Sequence, residues 1–271
     1  MCDLKTNQRD VQLEEGRIVR KTSISFSERY VTKMDDPALM RIEVKKHRQG
    51  CNIGRRTGLF YVPRIIDYDV SSGVAKFERL HRLKSLKWML AYRRSCDGLI
   101  KKLAMSLAMI HKELLLPRDM AVRIAPEIRL SGKSEVFLHG DYSLWNVFID
   151  QQNGNLVILD WQMTPLFHRV GSYGTRYFDL VWFVYGLFNR PSHTFPLSLS
   201  AAPYGRLFIK TYFENADYVY NSEEFCEYMT RLFKMRLARK MTGLPWHEKL
   251  MRILPSMRMM RFADSFGSRD L

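Results

Sequence analysis

Residues 139–146 read His139-Gly140-Asp141-Tyr142-Ser143-Leu144-Trp145-Asn146, and Asp160 follows nineteen positions after Asp141. Short apolar segments at 136–138 and 147–149 predict a strand on either side of this polar loop. A third apolar segment follows a turn rich in Asn, Gln and Gly, and it ends at Asp160. The pattern therefore places two carboxylates and one amide at the ends of neighbouring strands.

These three side chains are the groups that phosphoryl transfer requires. One carboxylate, Asp141, would orient the attacking hydroxyl and accept its proton, while Asn146 and Asp160 would hold Mg²⁺ on the phosphates of a nucleotide. The alternative is that the acids only cap turns, as Asp and Asn often do. The complete set, with strand, turn and strand in the right order, favours the site.

The same residues resemble the catalytic and metal loops of the aminoglycoside phosphotransferase and choline kinase family. In that family the catalytic loop reads His-Gly-Asp, four residues and Asn, as residues 139–146 do. The metal motif opens with Asp and an aromatic or aliphatic residue, like Asp160-Trp161, and an Asp-Leu pair follows, like Asp179-Leu180. The resemblance implies a small-molecule kinase that uses ATP and Mg²⁺. It also implies an α+β, bilobal, protein-kinase-like fold, with a small β-rich N-lobe at 1–80 and a larger, mainly helical C-lobe at 81–271.

By the same resemblance, Asp141 is the expected catalytic residue, and Asn146 and Asp160 are the expected metal ligands. His139 is expected to brace the catalytic loop through hydrogen bonds and not to transfer protons. Asp179 is expected to support the loop by accepting hydrogen bonds from its backbone N–H groups. Both supporting residues would act through the position of Asp141, where small displacements are costly.

A strand lysine and a helix glutamate usually hold the nucleotide phosphates in kinase-like folds. Residues 11–22 predict a β-hairpin with Lys21 at its end, and Glu43 lies in a predicted helix. Lys21 and Glu43 are therefore the candidates, and Arg20 and Lys33 remain open as alternatives to Lys21.

The rest of the first eighty residues fits a small lobe. Residues 37–49 predict a helix with a proline in its first turn, and residues 61–68 and 73–78 predict two strands. These strands resemble the pair that leads into the hinge of the family, where adenine would bind. The expected hinge residues are Phe77, Glu78 and Leu80.

One departure from the family pattern concerns the glycine-bearing hairpin that covers the phosphates. About sixteen residues precede Arg17, and Gly16 is the sole glycine among them. We therefore expect the nucleotide lid to be short or absent. This keeps a second hypothesis open, in which the chain is a non-catalytic kinase-like binding or scaffold protein.

Helical spacing of apolar residues predicts C-lobe helices at 86–92 and 96–115. His111 closes the second helix and is interpreted as a helix-end or core histidine, because no carboxylate partner is visible nearby. The glycines in residues 162–176 predict a loop, in which Arg169 or Arg176 could meet an anionic substrate.

Composition narrows the function classes further. Hydrophobic residues make up 46% of the chain and aromatic residues 13%, which is typical of a folded globular protein. The four cysteines have no paired spacing, which argues against a zinc ribbon or a disulfide framework. Residues 1–5 lack the apolar segment of a secretory signal. We therefore expect a cytoplasmic protein, at most peripheral to the inner face of the membrane.

The net charge of +15 predicts an anionic partner. Because aminoglycosides are cations, the charge favours a different hydroxyl acceptor, such as a sugar or the sugar unit of a glycolipid that carries acidic groups. A basic helix at 222–240 and a methionine-rich tail could also contact an anionic membrane. Nucleic acid is disfavoured as a partner, because no helix-turn-helix, zinc or aromatic-basic RNA motif is present.

Overall fold

The computed structural model describes residues 7–8, 23–92, 95–130, 135–162, 171–188, 195–219, 221–243 and 245–267 of the 271-residue chain. The predicted hairpin at 11–22 lies outside these ranges. Within them, an antiparallel sheet with one long helix is followed by a mainly helical part. This arrangement confirms the predicted α+β fold class.

The first part of the chain forms a five-stranded antiparallel sheet in the order β1-β2-β3-β5-β4. A 21-residue helix, α1, is inserted between β3 and β4. The bounds are β1 Asn7–Gln8, β2 Ser23–Phe26, β3 Tyr30–Met34, α1 Pro37–Thr57, β4 Ile65–Asp69 and β5 Val74–Glu78.

Local sequence explains where α1 begins and ends. Asp36 caps the first turn by accepting hydrogen bonds from the backbone N–H groups of Ala38 and Leu39, and Pro37 opens the helix. The helix ends at Gly58, whose φ of 67° suits a left-handed cap. The predicted helix at 37–49 is thus present and continues to Thr57. Its buried face packs against the buried side of β5 in a small core formed by Met40, Val44, Ala75 and Phe77.

The second part contains short strands and six helices within the described ranges. The strands are β6 Leu83–Ser85, β7 Glu135–Phe137, β8 Val147–Asp150, β9 Leu156–Ile158 and β10 Tyr173–Thr175. They form one sheet in the order β6-β8-β9 and a second, two-stranded sheet of β7 and β10. The helices are α2 Leu86–Tyr92, α3 Asp97–Glu113, α4 Tyr177–Phe188, α5 Phe195–Asn215, α6 Ser222–Met241 and α7 Trp246–Gly267.

Helix α4 lies at the centre of the larger core. Its sequence is apolar on all sides, and every residue of the helix except Gly186 is buried. A helix of this composition can only be stable inside the protein, with other helices packed around it. Its interior position also carries two polar side chains, Asp179 and Trp182, into contact with the loop that follows β7.

Helix α1 also packs directly on the segment after β9. A Cβ atom added to Gly50 would lie 2.3 Å from the ring of Trp161, so glycine permits this close approach. Trp161 is fully buried and follows Asp160. The contact therefore brings α1, which carries Glu43, close to Asp160. Among the described residues, no helix is both long enough and apolar enough to span a membrane.

Candidate active site

The loop after β7 is held by its backbone. Gly140 adopts a φ of 90°, which favours glycine because a side chain would be strained there. The backbone N–H groups of His139 and Gly140 donate to the two carboxylate oxygens of Asp179, at 2.8 and 2.9 Å. These are the hydrogen bonds that the sequence led us to expect of Asp179. They fix the turn from which the side chain of Asp141 projects.

Asp179 is itself held by a histidine, and this corrects one expectation. His111 was expected to have no carboxylate partner, yet its Nε2 lies 3.0 Å from Oδ2 of Asp179, and its Nδ1 lies 2.8 Å from the hydroxyl of Tyr212. The sequence could not show this contact because 68 residues separate the two side chains. His111 is buried, as expected of a core histidine. Burial acts to raise the pKa of Asp179, but its hydrogen bonds, first of all the one from His111, act in the opposite direction and the pKa is lowered.

Both carboxylate oxygens of Asp141 accept hydrogen bonds. The indole Nε1 of Trp182 donates to Oδ1 at 2.6 Å, and the amide Nδ2 of Asn146 donates to Oδ2 at 2.8 Å. Asn146 also donates to the backbone carbonyl of Asp141 at 3.0 Å. Burial raises the pKa of Asp141 to about 6, although the bond from Trp182 acts in the opposite direction. The carboxylate is thus oriented on both sides and still ionised at neutral pH.

His139 is buried behind the loop. Its Nδ1 accepts a 3.3 Å hydrogen bond from the backbone N–H of Asp141, so its side chain contributes to the shape of the turn. Burial lowers the pKa of His139 to about 3, so the ring is neutral at physiological pH. A neutral ring with this contact suits the structural role that the sequence analysis gave to His139.

A buried lysine, Lys46 of α1, fixes the same loop from the other side. Its Nζ donates to the backbone carbonyl of His139 at 2.6 Å, and the residue is 1% exposed. Burial lowers the pKa of Lys46 to about 8, against the raising effect of Asp179 and Glu43. Lys46 therefore joins the helix of the sheet region to the loop that carries Asp141.

Asp160 projects from the segment after β9 with a φ of 53°, a left-handed conformation that Asp tolerates better than most residues. One carboxylate oxygen, Oδ1, lies 2.7 Å from Nζ of Lys33. The same Nζ lies 2.7 Å from Oε1 of Glu43. We call Lys33, Glu43 and Asp160 the ion network, and it unites β3, α1 and the segment after β9.

The position of Lys33 changes the interpretation of the first lobe. Lys21 was the preferred partner of Glu43, but Glu43 pairs with Lys33, which was the alternative, and Lys21 lies outside the described residues. Lys33 reaches Glu43 because β3 leads directly into α1, which brings residues ten apart in sequence together.

The expectation of a short nucleotide lid was made with Lys21 as the paired lysine, and the strand of Lys33 lies further along the chain. The strand that carries the paired lysine is β3, and two paired strands, β1 and β2, precede it in the sheet. Residues 9–22, which include Gly16, connect these two strands and lie outside the described ranges. In protein kinases, too, the lysine stands on the third strand and the glycine loop precedes it. The expectation of a short lid, and the non-catalytic alternative that rests on it, therefore stay predictions.

Lys33 and Asp160 stabilise each other's charged form. Burial acts to lower the pKa of Lys33, but Glu43 and Asp160 outweigh it and raise the pKa well above its usual value. Burial also acts to raise the pKa of Asp160, and the charge and hydrogen bond of Lys33 lower it instead. Lys33 is therefore a permanent cation, and Asp160 remains an anion whose side chain is 41% exposed.

The predicted hinge residues have their side chains engaged elsewhere. Phe77 is buried, and its ring centroid lies 4.8 Å from that of His47 on α1. Glu78 accepts hydrogen bonds from the hydroxyl of Tyr61, at 2.5 Å, and from the backbone N–H of Arg64, at 3.1 Å. Leu80 is half-buried. The backbone of β5 is paired with β3 and β4, and the N–H of Glu78 donates to the carbonyl of Arg64. Adenine binding at these residues stays a prediction.

Of the two arginines that the sequence suggested for binding an anionic substrate, only Arg176 lies within the described residues. The guanidinium of Arg176 lies 4.2 Å from the ring centroid of Tyr218, which places it against the aromatic residues of the C-lobe. Arg169 lies outside the described residues.

Two residues at the site, Trp182 and Lys46, were not found by sequence reasoning. Trp182 stands three residues after Asp179, one turn further along the same helix, so the helical period could have placed it beside the loop. Lys46 stands three residues after Glu43 on α1 and could have been found in the same way. Lysine and tryptophan occur at this helical spacing in many proteins, so the spacing alone does not identify them as site residues.

Comparison with known proteins agrees with this geometry. The model of the phosphotransferase enzyme family matches residues 73–208, about half of the chain. No curated protein sequence matches. The chain is similar in structure to a glucosamine kinase in complex with glucosamine, ADP and inorganic phosphate, with 14% identity, 97% of this chain and 79% of that chain covered, and a TM-score of 0.53.

A second similar structure is a choline/ethanolamine kinase family protein from Mesorhizobium loti. Its identity is 10%, with 97% of this chain and 88% of that chain covered and a TM-score of 0.50. A third is APH(2″)-IIia in complex with GDP and kanamycin, with 10% identity, 100% of this chain and 95% of that chain covered, and a TM-score of 0.50. At such low identity these similarities show the fold alone.

The chain belongs to the phosphotransferase enzyme family, as the family model and the kinase-like fold together show. It is a small-molecule phosphotransferase that acts on hydroxyl groups, and ATP is the nucleotide that the family implies.

Proposed function

We propose that this protein transfers the γ-phosphoryl group of ATP to a hydroxyl of a sugar or of the sugar unit of a glycolipid. The observation that carries the proposal is the pair of networks in the candidate site. Asp141, held by Trp182 and Asn146, faces the acceptor, and the ion network of Lys33, Glu43 and Asp160 binds the nucleotide phosphates. The two lobes would be residues 1–80 and 81–271, with the nucleotide between them.

Asp141 orients the acceptor hydroxyl and accepts its proton. The hydroxyl oxygen forms a bond to the γ-phosphorus, the bond to the bridging oxygen breaks, and ADP leaves with that electron pair. Burial of Asp141 supports this role, because a carboxylate with a raised pKa is a better proton acceptor. Lys33 contacts the phosphate oxygens and stabilises the negative charge that moves toward ADP.

Mg²⁺ fits the donors that this site offers. Oδ1 of Asp160 is engaged by Lys33, but the side chain is 41% exposed and has a second oxygen. Asn146 uses its amide nitrogen for Asp141, which leaves the amide oxygen as the ligand. In the described part of the chain, no three His, Cys, Asp or Glu side chains form a metal site. A two-ligand site suits Mg²⁺, which usually combines one or two carboxylates with substrate phosphates and water. When bound, Mg²⁺ neutralises charge on the phosphates.

The net charge of +15 supports an acceptor with acidic groups. A protein with this excess attracts anions and repels cations at long range, so a cationic aminoglycoside or choline would be a poor substrate. An acidic sugar would be drawn toward the protein.

The first experiment is thermal unfolding with and without Mg-ATP and Mg-GTP, in wild type and in Asp160→Ala. At a hundred times its dissociation constant a ligand adds about 2.7 kcal/mol to stability, which raises the melting temperature by a few degrees. We expect a Mg-dependent rise in wild type that is lost in Asp160→Ala. Absence of any rise with either nucleotide in wild type would contradict the proposal.

The second experiment compares acceptors by release of ADP. Sugars that carry a carboxylate or phosphate, neutral sugars, kanamycin and choline are supplied at equal concentrations. We expect the acidic sugars to give the highest kcat/KM, with a difference from neutral sugars that shrinks as salt is added. Preference for kanamycin or choline would show that the acceptor class is wrong.

We also propose that helix α7 makes peripheral contact with an anionic membrane, as a glycolipid acceptor would require. Three apolar residues on one face of this helix are exposed, Trp246, Ile253 and Met257, and Arg258 beside them is exposed as well. The buried residues of the same helix, such as Phe262 and Phe266, face the core. An apolar row flanked by basic residues is typical of helices that lie in a membrane surface.

Sedimentation with vesicles tests this contact. We expect wild type to bind vesicles that contain phosphatidylglycerol, and the double variant Ile253→Ser, Met257→Ser to bind several-fold more weakly. Vesicles of phosphatidylcholine alone are the control for charge. Equal sedimentation of both proteins would rule out the contact without affecting the assignment of the transfer reaction.

A further inference from the structure

The contact between Trp182 and Asp141 is not explained by the motif that identifies the catalytic loop. Trp182 lies 41 residues after Asp141 and is 7% exposed, so its indole is fixed in the interior beside the carboxylate. Its Nε1 donates to Oδ1 at 2.6 Å, which is a short distance for an N–H donor. A hydrogen bond to a charged acceptor is shorter and stronger than one between neutral groups.

The indole is packed against three neighbouring side chains. The rings of Phe178 and Tyr185 are stacked nearly parallel to it, at centroid distances of 6.1 and 5.6 Å. The guanidinium of Arg236 on α6 lies 4.6 Å from the indole ring centroid. A side chain packed in this way cannot easily rotate, so its N–H points in one direction.

Helix α4 therefore controls the catalytic loop through two residues one turn apart. Asp179 accepts hydrogen bonds from the loop backbone, and Trp182 donates to the side chain that this backbone carries. The first contact fixes the backbone position of the loop, and the second fixes the orientation of the Asp141 carboxylate. Neither contact depends on the nucleotide end of the site.

We propose that Trp182 is a positioning residue for phosphoryl transfer, which it promotes by holding Oδ1 of Asp141 through its indole N–H. This inference rests on the proposed function, in which Asp141 accepts the acceptor's proton. Each carboxylate oxygen has two lone pairs, so the bonds from Trp182 and Asn146 leave a lone pair on each oxygen for the hydroxyl. The indole only donates, and it therefore cannot compete for that proton.

Positioning is the effect that Trp182 supplies, because phosphoryl transfer depends mainly on alignment and charge. A carboxylate released on one side can rotate about its terminal bond, and it then spends less time in line with the hydroxyl. Displacements of this size can cost up to about a hundredfold in rate. Binding of ATP does not involve the indole, so the loss should be confined to kcat.

The test is Trp182→Phe, which keeps an aromatic ring between Phe178 and Tyr185 but removes the N–H. The probe reaction is slow hydrolysis of Mg-ATP, in which water replaces the acceptor. We expect kcat to fall about ten- to a hundredfold, with KM for ATP and the Mg-ATP melting shift within about twofold of wild type. Trp88→Phe, which changes an exposed tryptophan on α2, is the matched control and should leave kcat unchanged.

A double-mutant cycle distinguishes positioning of Asp141 from a general effect on the fold. If Trp182 acts through Asp141, Trp182→Phe lowers kcat in wild type but not in the Asp141→Asn background. An equal reduction in both backgrounds would overturn the inference. Normal turnover by Asp141→Asn would instead overturn the proposed function, so the two failures can be told apart.

A spectroscopic measurement needs neither turnover nor a variant of Trp182. The chain has five tryptophans, and so five indole N–H resonances, in a nitrogen–proton NMR spectrum. We expect one of them to lie downfield of the rest, because of its bond to a carboxylate, and to move upfield in Asp141→Asn. If all five resonances stay in place, Trp182 does not bond to Asp141 in solution and the inference is wrong.

Discussion

At the nucleotide end of the candidate site, three charged side chains from three separate elements meet in the ion network. Lys33 on β3, Glu43 on α1 and Asp160 after β9 make contact although Lys33 and Asp160 are 127 residues apart. At the acceptor end, one loop supplies both Asp141 and Asn146, and α4 holds that loop. The first end is assembled by tertiary packing, whereas the second is a local motif that tertiary contacts hold in place.

This difference in construction implies a difference in what mutations do. Removing a member of the ion network leaves a buried charge without its partner, so stability and nucleotide binding should suffer together. Replacing Asp141 by Asn keeps a side chain of the same size with one oxygen that can still accept a hydrogen bond, so catalysis should suffer more than stability. Four variants test this comparison.

Asp141→Asn should have the largest effect, on rate alone. The amide has the size of the carboxylate but cannot take the proton of the hydroxyl, so turnover should fall about 10²- to 10⁴-fold. The melting shift produced by Mg-ATP should stay as in wild type. Steady-state kinetics and thermal unfolding check both expectations, and near-normal turnover would show that Asp141 is not the proton acceptor.

Lys33→Met should affect stability and nucleotide binding together. It leaves Glu43 and Asp160 close together without the cation between them, and breaking such a buried pair costs about 3 kcal/mol. The Mg-ATP melting shift should also be lost. Lys21→Met is the matched comparison for nucleotide binding, and we expect it to keep the Mg-ATP melting shift. If Lys21→Met has the larger effect on nucleotide binding, Lys33 is not the phosphate-binding lysine.

Sequence reasoning succeeded where the chemistry lies in consecutive residues. The spacing of His139, Asp141 and Asn146, followed by Asp160, led to the family and to the fold class, because strand, loop and strand are adjacent in the chain. Asp179 was also correctly predicted to accept hydrogen bonds from the loop backbone.

It failed where packing chooses among equivalent residues. Lys21 and Lys33 both fit the end of a short basic strand, and only the pairing of β3 with β5 and the approach of α1 distinguish them. The partner of His111 lies on another helix, and Trp182 looks like any apolar residue of a buried helix. No local pattern encodes these contacts, since they depend on how α3, α4 and the loop meet.

Asp179→Asn tests how Asp179 supports the loop that carries Asp141. Asn has one acceptor oxygen in place of two, so the backbone N–H of His139 or Gly140 loses its partner and faces an amide N–H₂ group. A buried donor left without an acceptor costs about 1–3 kcal/mol, and we expect a loss of about 2 kcal/mol in urea unfolding. Asp119→Asn is the control, because Asp119 forms an exposed ion pair with Arg41 that should be worth at most about 1 kcal/mol. Equal losses of stability in the two variants would show that Asp179 does not support the loop.

Lys46→Met tests the contact that joins the two ends, through its pH dependence. The pKa of Lys46 is lowered to about 8 by burial, below its ordinary value of 10.5. Between these values the unfolded chain binds more protons than the folded one, so the stability contributed by this lysine rises with pH. From pH 7 to pH 9 wild type should therefore gain about 1 kcal/mol relative to Lys46→Met.

The matched control is Lys45→Met, which removes an exposed lysine one position away on the same helix. Its stability should follow wild type across the same pH range. Unfolding by urea at pH 7, 8 and 9 measures all three proteins. A constant difference between wild type and Lys46→Met would mean that Lys46 is not buried against the carbonyl of His139. The ion network and the catalytic loop would then be joined by other contacts, such as the packing of α1 on Trp161 and the hydrogen bond from the backbone N–H of Leu159 to the carbonyl of Asn146.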